Sequence, residues 1–469
     1  MPTLISNFSG QLIHIFISIS LLSQKFYLNL QTNQIIMNLK VISIILSAVL
    51  CHLMAKAQIR IAVLSDIHIM GPGLLVNPGA AWEKEMAYNR KLLDYSRELF
   101  CQMVTRLSEQ KPDILLITGD LTKDGERISH LFVKEKLDRL RTFGVKIYVI
   151  PGNHDIGYNG HALYYDGENT SLAETISDSD FAELYLNYGY SKSERDVHSL
   201  SYVCEPYPGL VLVGIDSHDG SLTSETLDWI CGETQNAHNE GKSIIAMMHH
   251  PLFPHINNAE SFIKSATIDD YETVRNRLAD TGVRVIFTGH FHTSDIAKDW
   301  NSELSKAIYD VNTGSLVSYP CDYRQILLNE DLSELSITTD HVRTLASQKN
   351  FLEIAKDRLY KNIYDQAYKK AHRYIHNERT CTLLAQVTAE TFILHAEGNE
   401  GNKEKIHAVE KIDGSIEQFR QENKDNLMVD FMFSALEPSI KSVLTDTSNY
   451  GDPKRSNITD DHTLTISLK

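Results

Sequence analysis

The sequence predicts an α/β fold for residues 58–344, because short apolar runs alternate there with stretches of helical spacing. Five of the runs are rich in Ile and Val, as strands buried on both faces are. These runs are residues 59–65, 114–118, 145–150, 243–248 and 283–288. Polar residues follow each run directly. Since ligands bind outside the carboxyl ends of strands in open α/β sheets, we expect the five polar clusters to converge in one crevice.

The connecting segments have their own patterns. Apolar spacing predicts helices at residues 89–109, 126–143, 223–236 and 270–280, and a hairpin from residues 199–204 and 210–215. We expect residues 70–82 and 156–178 to be loops that rim the crevice. Beyond residue 345, helices are expected at 351–375, 380–394 and 431–444, with a polar turn at 397–402 and a strand at 462–468. Because the C-terminal helices are amphipathic, we expect them to dock on the catalytic domain.

The polar clusters are short motifs of Asp, His, Asn and Gly. They are Asp66-Ile67-His68, Gly119-Asp120, Gly152-Asn153-His154-Asp155, His249-His250-Pro251 and Gly289-His290-Phe291-His292. Their imidazole, carboxylate and amide groups are enough to hold two metal ions. Mixed nitrogen and oxygen ligands suit Fe, Mn, Zn, Co or Ni, whereas Ca and Mg favour oxygen ligands alone. No motif contains Cys, so neither a thiolate zinc site nor a cysteine nucleophile is indicated.

Each motif by itself has a simpler explanation. An Asp after a strand is commonly a turn residue or a helix cap, and a single buried His is more often a hydrogen-bonded core residue than a ligand. The occurrence of all five motifs in one order, each after a predicted strand, favours a dinuclear metal site. For His250 we keep the simpler interpretation, a supporting or surface residue, since His249 occupies the motif position.

The five motifs resemble those of the calcineurin-like metallophosphoesterases, whose pattern D-x-H, G-D, G-N-H-[DE], H and G-H-x-H is present here in order. The resemblance implies a sandwich of two β-sheets flanked by helices, followed here by a mainly helical C-terminal unit. It implies that one metal ion is bound by Asp66, His68 and His292, that the other is bound by Asn153, His249 and His290, and that Asp120 bridges them. Metal-activated hydroxide would attack phosphorus, while His154, oriented by Asp155, would face the leaving group.

Differences between this chain and individual branches of the superfamily indicate the substrate class. Purple acid phosphatases place a Tyr three residues after the bridging Asp, where this chain has Lys123, and they lack the histidine that stands here as His68. The stretch from Gly119 to Gly125 also differs from that of serine/threonine protein phosphatases, and it is more similar to bacterial phosphodiesterases and the acid-sphingomyelinase-like branch. We therefore expect a small phosphodiester substrate, nucleotide-like or a phospholipid head group. A phosphomonoesterase or nucleotidase, and a catalytically silent secreted binding protein, are the alternatives.

Length and charge bound the organisation of the chain. Its 469 residues are enough for a catalytic domain, expected at 58–344, and a smaller helical domain, expected at 345–469. A formal net charge of −16 argues against a nucleic-acid binder or a binder of anionic membranes.

Residues 1–57 indicate export. Met37-Asn38-Leu39-Lys40 forms a charged start, residues 41–54 are apolar, and Ala55-Lys56-Ala57 fits a signal-peptidase site. The apolar run is too short for a stable membrane span. We therefore expect translation to start at Met37, cleavage to follow Ala57, and the mature protein to be secreted or periplasmic.

Overall fold

The apolar runs of the sequence form strands of two β-sheets. The computed structural model describes residues 20–25, 58–157, 160–257, 265–398, 405–445 and 460–469. The chain divides into two units, Met1–Ala57 and Gln58–Lys469, and both sheets belong to the second. In the first unit, residues 20–25 are helical, and the expected signal peptide lies outside the described residues. The boundary expected at residue 344 falls inside the second unit and stays a prediction.

The first sheet contains three parallel strands that carry predicted metal motifs. These strands are β1 (Ile59–Leu64), β3 (Ile114–Ile117) and β4 (Lys146–Val149). On the other side of β1 follow three antiparallel strands, β14 (Asp322–Leu328), β15 (Glu334–His341) and β16 (Thr463–Ser467). The expected C-terminal strand is confirmed as β16, which pairs with β15 and forms the edge of this sheet.

The second sheet carries the other two motifs. Its order is β12 (Asp295–Trp300), β13 (Ala307–Asn312), β11 (Val285–Thr288), β10 (Ser243–Met248), β9 (Leu210–Ile215), β8 (Tyr202–Tyr207) and β7 (Glu194–Arg195). The side chains of β10 alternate between two faces, as a strand requires. Ile245 and Met247 pack in the core shared with the first sheet, while Ile244 and Ala246 pack in a separate core with helices. The two sheets therefore share an apolar interior, and the predicted sandwich is confirmed.

The helices cover the sheets and continue beyond them. They are α1 (Ala80–Tyr88), α2 (Ser96–Gln110), α3 (Arg127–Arg141), α4 (Asp178–Leu184), α5 (Ser224–Asn239), α6 (Tyr271–Asp280), α7 (Phe351–His372), α8 (Glu378–Glu397), α9 (Ile406–Asn423) and α10 (Leu427–Leu444), with a π-helical turn at Leu186–Tyr190. The helix predicted from residue 89 begins only at Ser96, and α9 was not predicted. No helix in the described ranges is long and apolar enough to span a membrane.

The expected docking of the C-terminal helices is confirmed by their packing. Phe351, Ala355 and Leu359 on α7 lie in the same apolar core as the strands of the first sheet. They recur at helical spacing, so one face of α7 is buried against the catalytic part of the chain. By contrast, most of the apolar residues of α9 and α10 pack in a separate cluster with α8.

The two segments expected to be loops pair with each other. Within them lie strand β2 (Leu75–Asn77) and the hairpin of β5 (Leu163–Asp166) and β6 (Asn169–Leu172), which form a small three-stranded sheet. Trp82 packs on Tyr165 with ring centroids 5.2 Å apart, which fixes this sheet against α1. The two segments therefore contain three strands, whereas the sequence predicted loops.

Candidate active site

Five predicted ligands stand at strand ends in a left-handed backbone conformation. Their φ angles are 49° at Asp66, 36° at His68, 52° at Asp120, 70° at His290 and 62° at His292. Such angles are uncommon for residues other than Gly and cost free energy, so their clustering marks a functional centre. The motif glycines allow the close approach: a Cβ atom on Gly152 would collide with the backbone of Asp120.

The first predicted ligand set converges on one point. One ligand atom each from Asp66, His68, Asp120 and His292 lies within 4.8 Å of the others. Nε2 of His292 is 3.1 Å from Nε2 of His68 and 3.2 Å from Oδ1 of Asp66. This spacing brings lone pairs towards each other, as it does around a cation.

The second predicted set lies beside the first. Oδ1 of Asn153 is 3.0 Å from Nε2 of His249 and 3.0 Å from Nδ1 of His290. Oδ2 of Asp120 stands between the two sets, 3.4 Å from Nε2 of His68 and 3.4 Å from Nε2 of His249. Asp120 therefore occupies the position that a bridging ligand requires, and all seven predicted ligands are brought together.

Backbone carbonyls set the proton positions on two of the imidazoles. Nδ1 of His249 donates to the Thr118 carbonyl at 2.8 Å, and Nδ1 of His68 lies 3.2 Å from the Thr122 carbonyl. With the proton on Nδ1, each ring turns an Nε2 lone pair towards the centre. Nε2 of His290 is buried without a hydrogen-bond partner among the described residues. These donors fit two transition-metal ions.

The group expected on the leaving-group side, His154, is oriented by Asp124. Nδ1 of His154 donates to Oδ1 of Asp124 at 2.8 Å. The expected orienting residue, Asp155, is directed elsewhere: its carboxylate accepts from the backbone N–H groups of Gly152, Leu121 and Thr122 at 2.9–3.1 Å. Asp155 therefore holds the loops of two motifs together, and the role given to it from the sequence is corrected.

Comparison with known proteins identifies the family. The family model described as calcineurin-like phosphoesterase matches residues 59–294, which include every predicted ligand. The chain belongs to the calcineurin-like phosphoesterases. It is accordingly a metal-dependent phosphoric ester hydrolase, in a family that uses dinuclear metal centres.

Relatives of this phosphoesterase include named phosphodiesterases. A probable glycerophosphodiester phosphodiesterase of Arcobacter nitrofigilis is 28% identical over 239 residues, covering 49% of this chain and 70% of the relative. A 3′,5′-cyclic-nucleotide phosphodiesterase of Nostoc sp. is 24% identical over 248 residues, covering 50% of this chain and 73% of the relative. A solved structure, a dimetal phosphatase from Danio rerio, is 12% identical with a TM-score of 0.43, covering 60% of this chain and 96% of that one. The individual ligand roles in this phosphoesterase stay predictions.

Burial and neighbouring charges shift the pKa values of two site histidines in opposite directions. Burial lowers the pKa of His68 to about 3, and the neighbouring Lys91 ammonium acts in the same sense. Burial also disfavours the charged form of His249, but the carboxylates of Asp120 and Asp66 raise the pKa of His249 to about 9. A metal ion binds only neutral imidazole, so a metal ion that binds His249 must displace a proton.

Two charged residues beside His154 were not identified as site residues. Asp124 contacts His154 on one side and the buried Lys123 on the other. Burial raises the pKa of Asp124, but the His154 hydrogen bond and the Lys123 charge outweigh it and lower that pKa to about 2. Lys91 places Nζ 3.3 Å from Nε2 of His154. Asp124 lies within the Gly119–Gly125 stretch, so the sequence offered a signal for it as a site residue. Lys91 lies outside every motif, and the sequence offered no such signal.

Proposed function

We propose that this phosphoesterase hydrolyses a small phosphodiester after export from the cytoplasm. The observation that carries the diester preference is the similarity to relatives named as glycerophosphodiester and cyclic-nucleotide phosphodiesterases. The convergence of the seven side chains predicted to bind metal supports hydrolysis at phosphorus.

The residues divide the work of an in-line displacement. Two bound metal ions would supply Lewis acidity and a nucleophilic water at neutral pH. Asp120 holds the two ligand sets in register, and its Oδ1 accepts the backbone N–H of His154 at 2.8 Å. This contact fixes His154 beside the metal ligands. As the phosphorus–oxygen bond to the water forms, the bond to the leaving oxygen breaks, and His154 lies on the side where that oxygen departs.

A comparison of two chromogenic substrates tests the proposal. We expect the purified protein to hydrolyse bis-(4-nitrophenyl) phosphate with a higher kcat/KM than 4-nitrophenyl phosphate, and to lose both activities in a chelator. Restoration by added Mn²⁺ or Zn²⁺ would tie the loss to metal removal. A higher kcat/KM for 4-nitrophenyl phosphate would contradict the diester preference and indicate a phosphomonoesterase. If the metal-loaded protein hydrolyses neither substrate, a binding protein is favoured.

A phosphomonoester is the second candidate, and one observation favours it. Lys91 adds a positive charge close to the predicted ligand His68, with 3.2 Å between Nζ and Nδ1. A monoester dianion carries more negative charge than a diester and would gain more from this ammonium.

Export has its own test. Expression in a bacterial host, followed by fractionation and amino-terminal sequencing, should give a mature protein that begins at Gln58. Retention in the cytoplasm with the leader intact would contradict export and leave the catalytic proposal untouched.

A further inference from the structure

Lys91 stands at the active site although it belongs to no motif. Nζ lies 3.3 Å from Nε2 of His154 and 3.2 Å from Nδ1 of His68. Of the residues that the structure describes, these two supply the polar atoms within hydrogen-bond reach of the ammonium. The side chain is half-buried, and its two contacts place the ammonium against the centre.

The direction of the hydrogen bonds shows how the ammonium is held. A carboxylate only accepts, so Asp124 fixes the proton of His154 on Nδ1. Nε2 of His154 therefore carries a lone pair and accepts from Lys91. His68 has no lone pair to offer in the tautomer that donates from Nδ1 to the Thr122 carbonyl. Two of the three N–H groups of Lys91 thus remain for a substrate.

The C-terminal helices hold the segment that carries Lys91. Asn362 on α7 is only 7% exposed, and its Nδ2 donates to the Asn89 carbonyl at 3.0 Å. The Asn89 side chain in turn accepts the backbone N–H of Lys91 at 3.0 Å. On the next residue, the Arg90 guanidinium lies over the ring of Phe392 on α8, 5.6 Å from its centroid. Helices α7 and α8, which are distant in the sequence, therefore both contact the short connection between α1 and α2.

We infer that Lys91 is a catalytic residue that donates a hydrogen bond to the leaving oxygen, and that Asn362 is its positioning residue. The inference rests on the proposed hydrolysis, of either ester class. When the phosphorus–oxygen bond breaks, its electron pair stays on the leaving oxygen. The Lys91 ammonium, placed against Nε2 of His154, stabilises that developing charge. The C-terminal helical region thereby completes the active site.

Substitution of Lys91 tests the catalytic part. We expect Lys91→Met to lower kcat on the order of 10²-fold, the cost of one lost donor to a developing anion, with metal content unchanged. The loss should be larger for diphenyl phosphate than for bis-(4-nitrophenyl) phosphate, because phenolate is the poorer leaving group. Lys91→Arg should recover part of the loss. Lys84→Met, an exposed position on α1, is the matched control and should resemble the wild type.

The same measurements can overturn the inference. An equal loss for both substrates, wild-type turnover in Lys91→Met, or loss of bound metal in that variant would each remove the leaving-group role. A wild-type protein that hydrolyses no phosphoester would instead defeat the proposed function, so the two failures are distinguishable.

A double-mutant cycle tests the positioning part. We expect Asn362→Leu to lower kcat about 10-fold in the wild type and to have no further effect in Lys91→Met, because it acts through Lys91. Additive losses would refute the coupling. If Asn362→Leu fails to fold, Asn89→Ala removes the acceptor of the Lys91 N–H, which is the next link between Asn362 and Lys91. Additive losses in the cycle of Asn89→Ala with Lys91→Met would likewise refute the coupling.

Discussion

The two sides of the active site are built in different ways. The seven predicted metal ligands follow five strands directly, and strained backbone at five of those residues fixes their directions. On the leaving-group side, Lys91 and Asp124 lie on loops, and Asp124 is held by its contact with Lys123. The backbone N–H of Lys91 donates to the Asn89 side chain, and the Asn89 carbonyl accepts from Asn362 on α7. The predicted metal ligands are therefore placed by the strands that precede them, whereas the leaving-group side depends on contacts from helices that are distant in the sequence.

The largest expected effect comes from substituting Asp120, the predicted bridge between the two metal ions. Asp120→Ala removes a carboxylate whose Oδ2 lies 3.4 Å from Nε2 of His68 and 3.4 Å from Nε2 of His249, one ligand from each set. We expect both metal ions and nearly all activity to be lost while the fold survives, as measured by metal analysis, kcat and circular dichroism. Asp357→Ala, at an exposed position on α7, is the control. Wild-type metal content in Asp120→Ala would refute the bridge.

The second prediction breaks the leaving-group side without touching a predicted ligand. His154→Asn should keep both metal ions and lower kcat on the order of 10²-fold, because it removes the Nε2 acceptor that holds the Lys91 ammonium in place. The loss should be smaller for a 4-nitrophenolate leaving group, which departs without a proton, than for an alkyl one. Kinetics on both substrate types, with metal analysis, decide this. An equal loss on both would remove His154 from the leaving-group side.

The third prediction separates the two aspartates around His154. Asp124→Asn replaces the charged acceptor of the His154 N–H with a neutral amide oxygen, so we expect kcat to fall about 10-fold. Asp155→Asn disturbs a buried carboxylate that accepts three backbone N–H groups, so it should lower the free energy of unfolding by about 1–3 kcal/mol. Measurement of kcat and Tm in both variants checks the contrast. Wild-type kcat in Asp124→Asn would remove the orienting role from Asp124.

The smallest expected effect on activity concerns a buried histidine and two carboxylates outside the metal centre. His255 is buried, with Nε2 3.2 Å from Asp310 and Nδ1 3.5 Å from Asp295. Burial lowers the pKa of His255, but the two carboxylates outweigh it and raise that pKa to about 10. Its contribution to stability is therefore complete below the unfolded pKa of about 6.5 and is lost as pH rises through 10.

Denaturant unfolding between pH 6.5 and 10 checks this sign. The stability difference between wild type and His255→Gln should shrink as pH rises, by at most about 1.4 kcal/mol per pH unit. A difference that is constant over this window would show that His255 is neutral in the folded protein. Activity profiles of the two proteins should keep the same shape, since His255 is not a predicted ligand.

The sequence predicts strand-end chemistry well because it is local. The five strands begin and end within two residues of their predicted bounds, and the residues expected as ligands converge. The helix start at residue 89 was wrong, since residues 89–95 form the connection that presents Lys91. That conformation depends on Asn362, which is 273 residues away from Asn89 in the chain. Apolar periodicity carries no information about such a contact.

The first sheet is complete only when strand β16 has paired with β15. Strand β16 covers the open edge of β15, yet it follows helices α7 to α10 in the order of synthesis. While the ribosome is still making those helices, β15 presents unpaired N–H and C=O groups that another nascent chain can pair with. A chaperone that shields this edge would raise the yield of soluble protein. The edge of β15 is therefore open to pairing with another chain until residues 463–467 have been made.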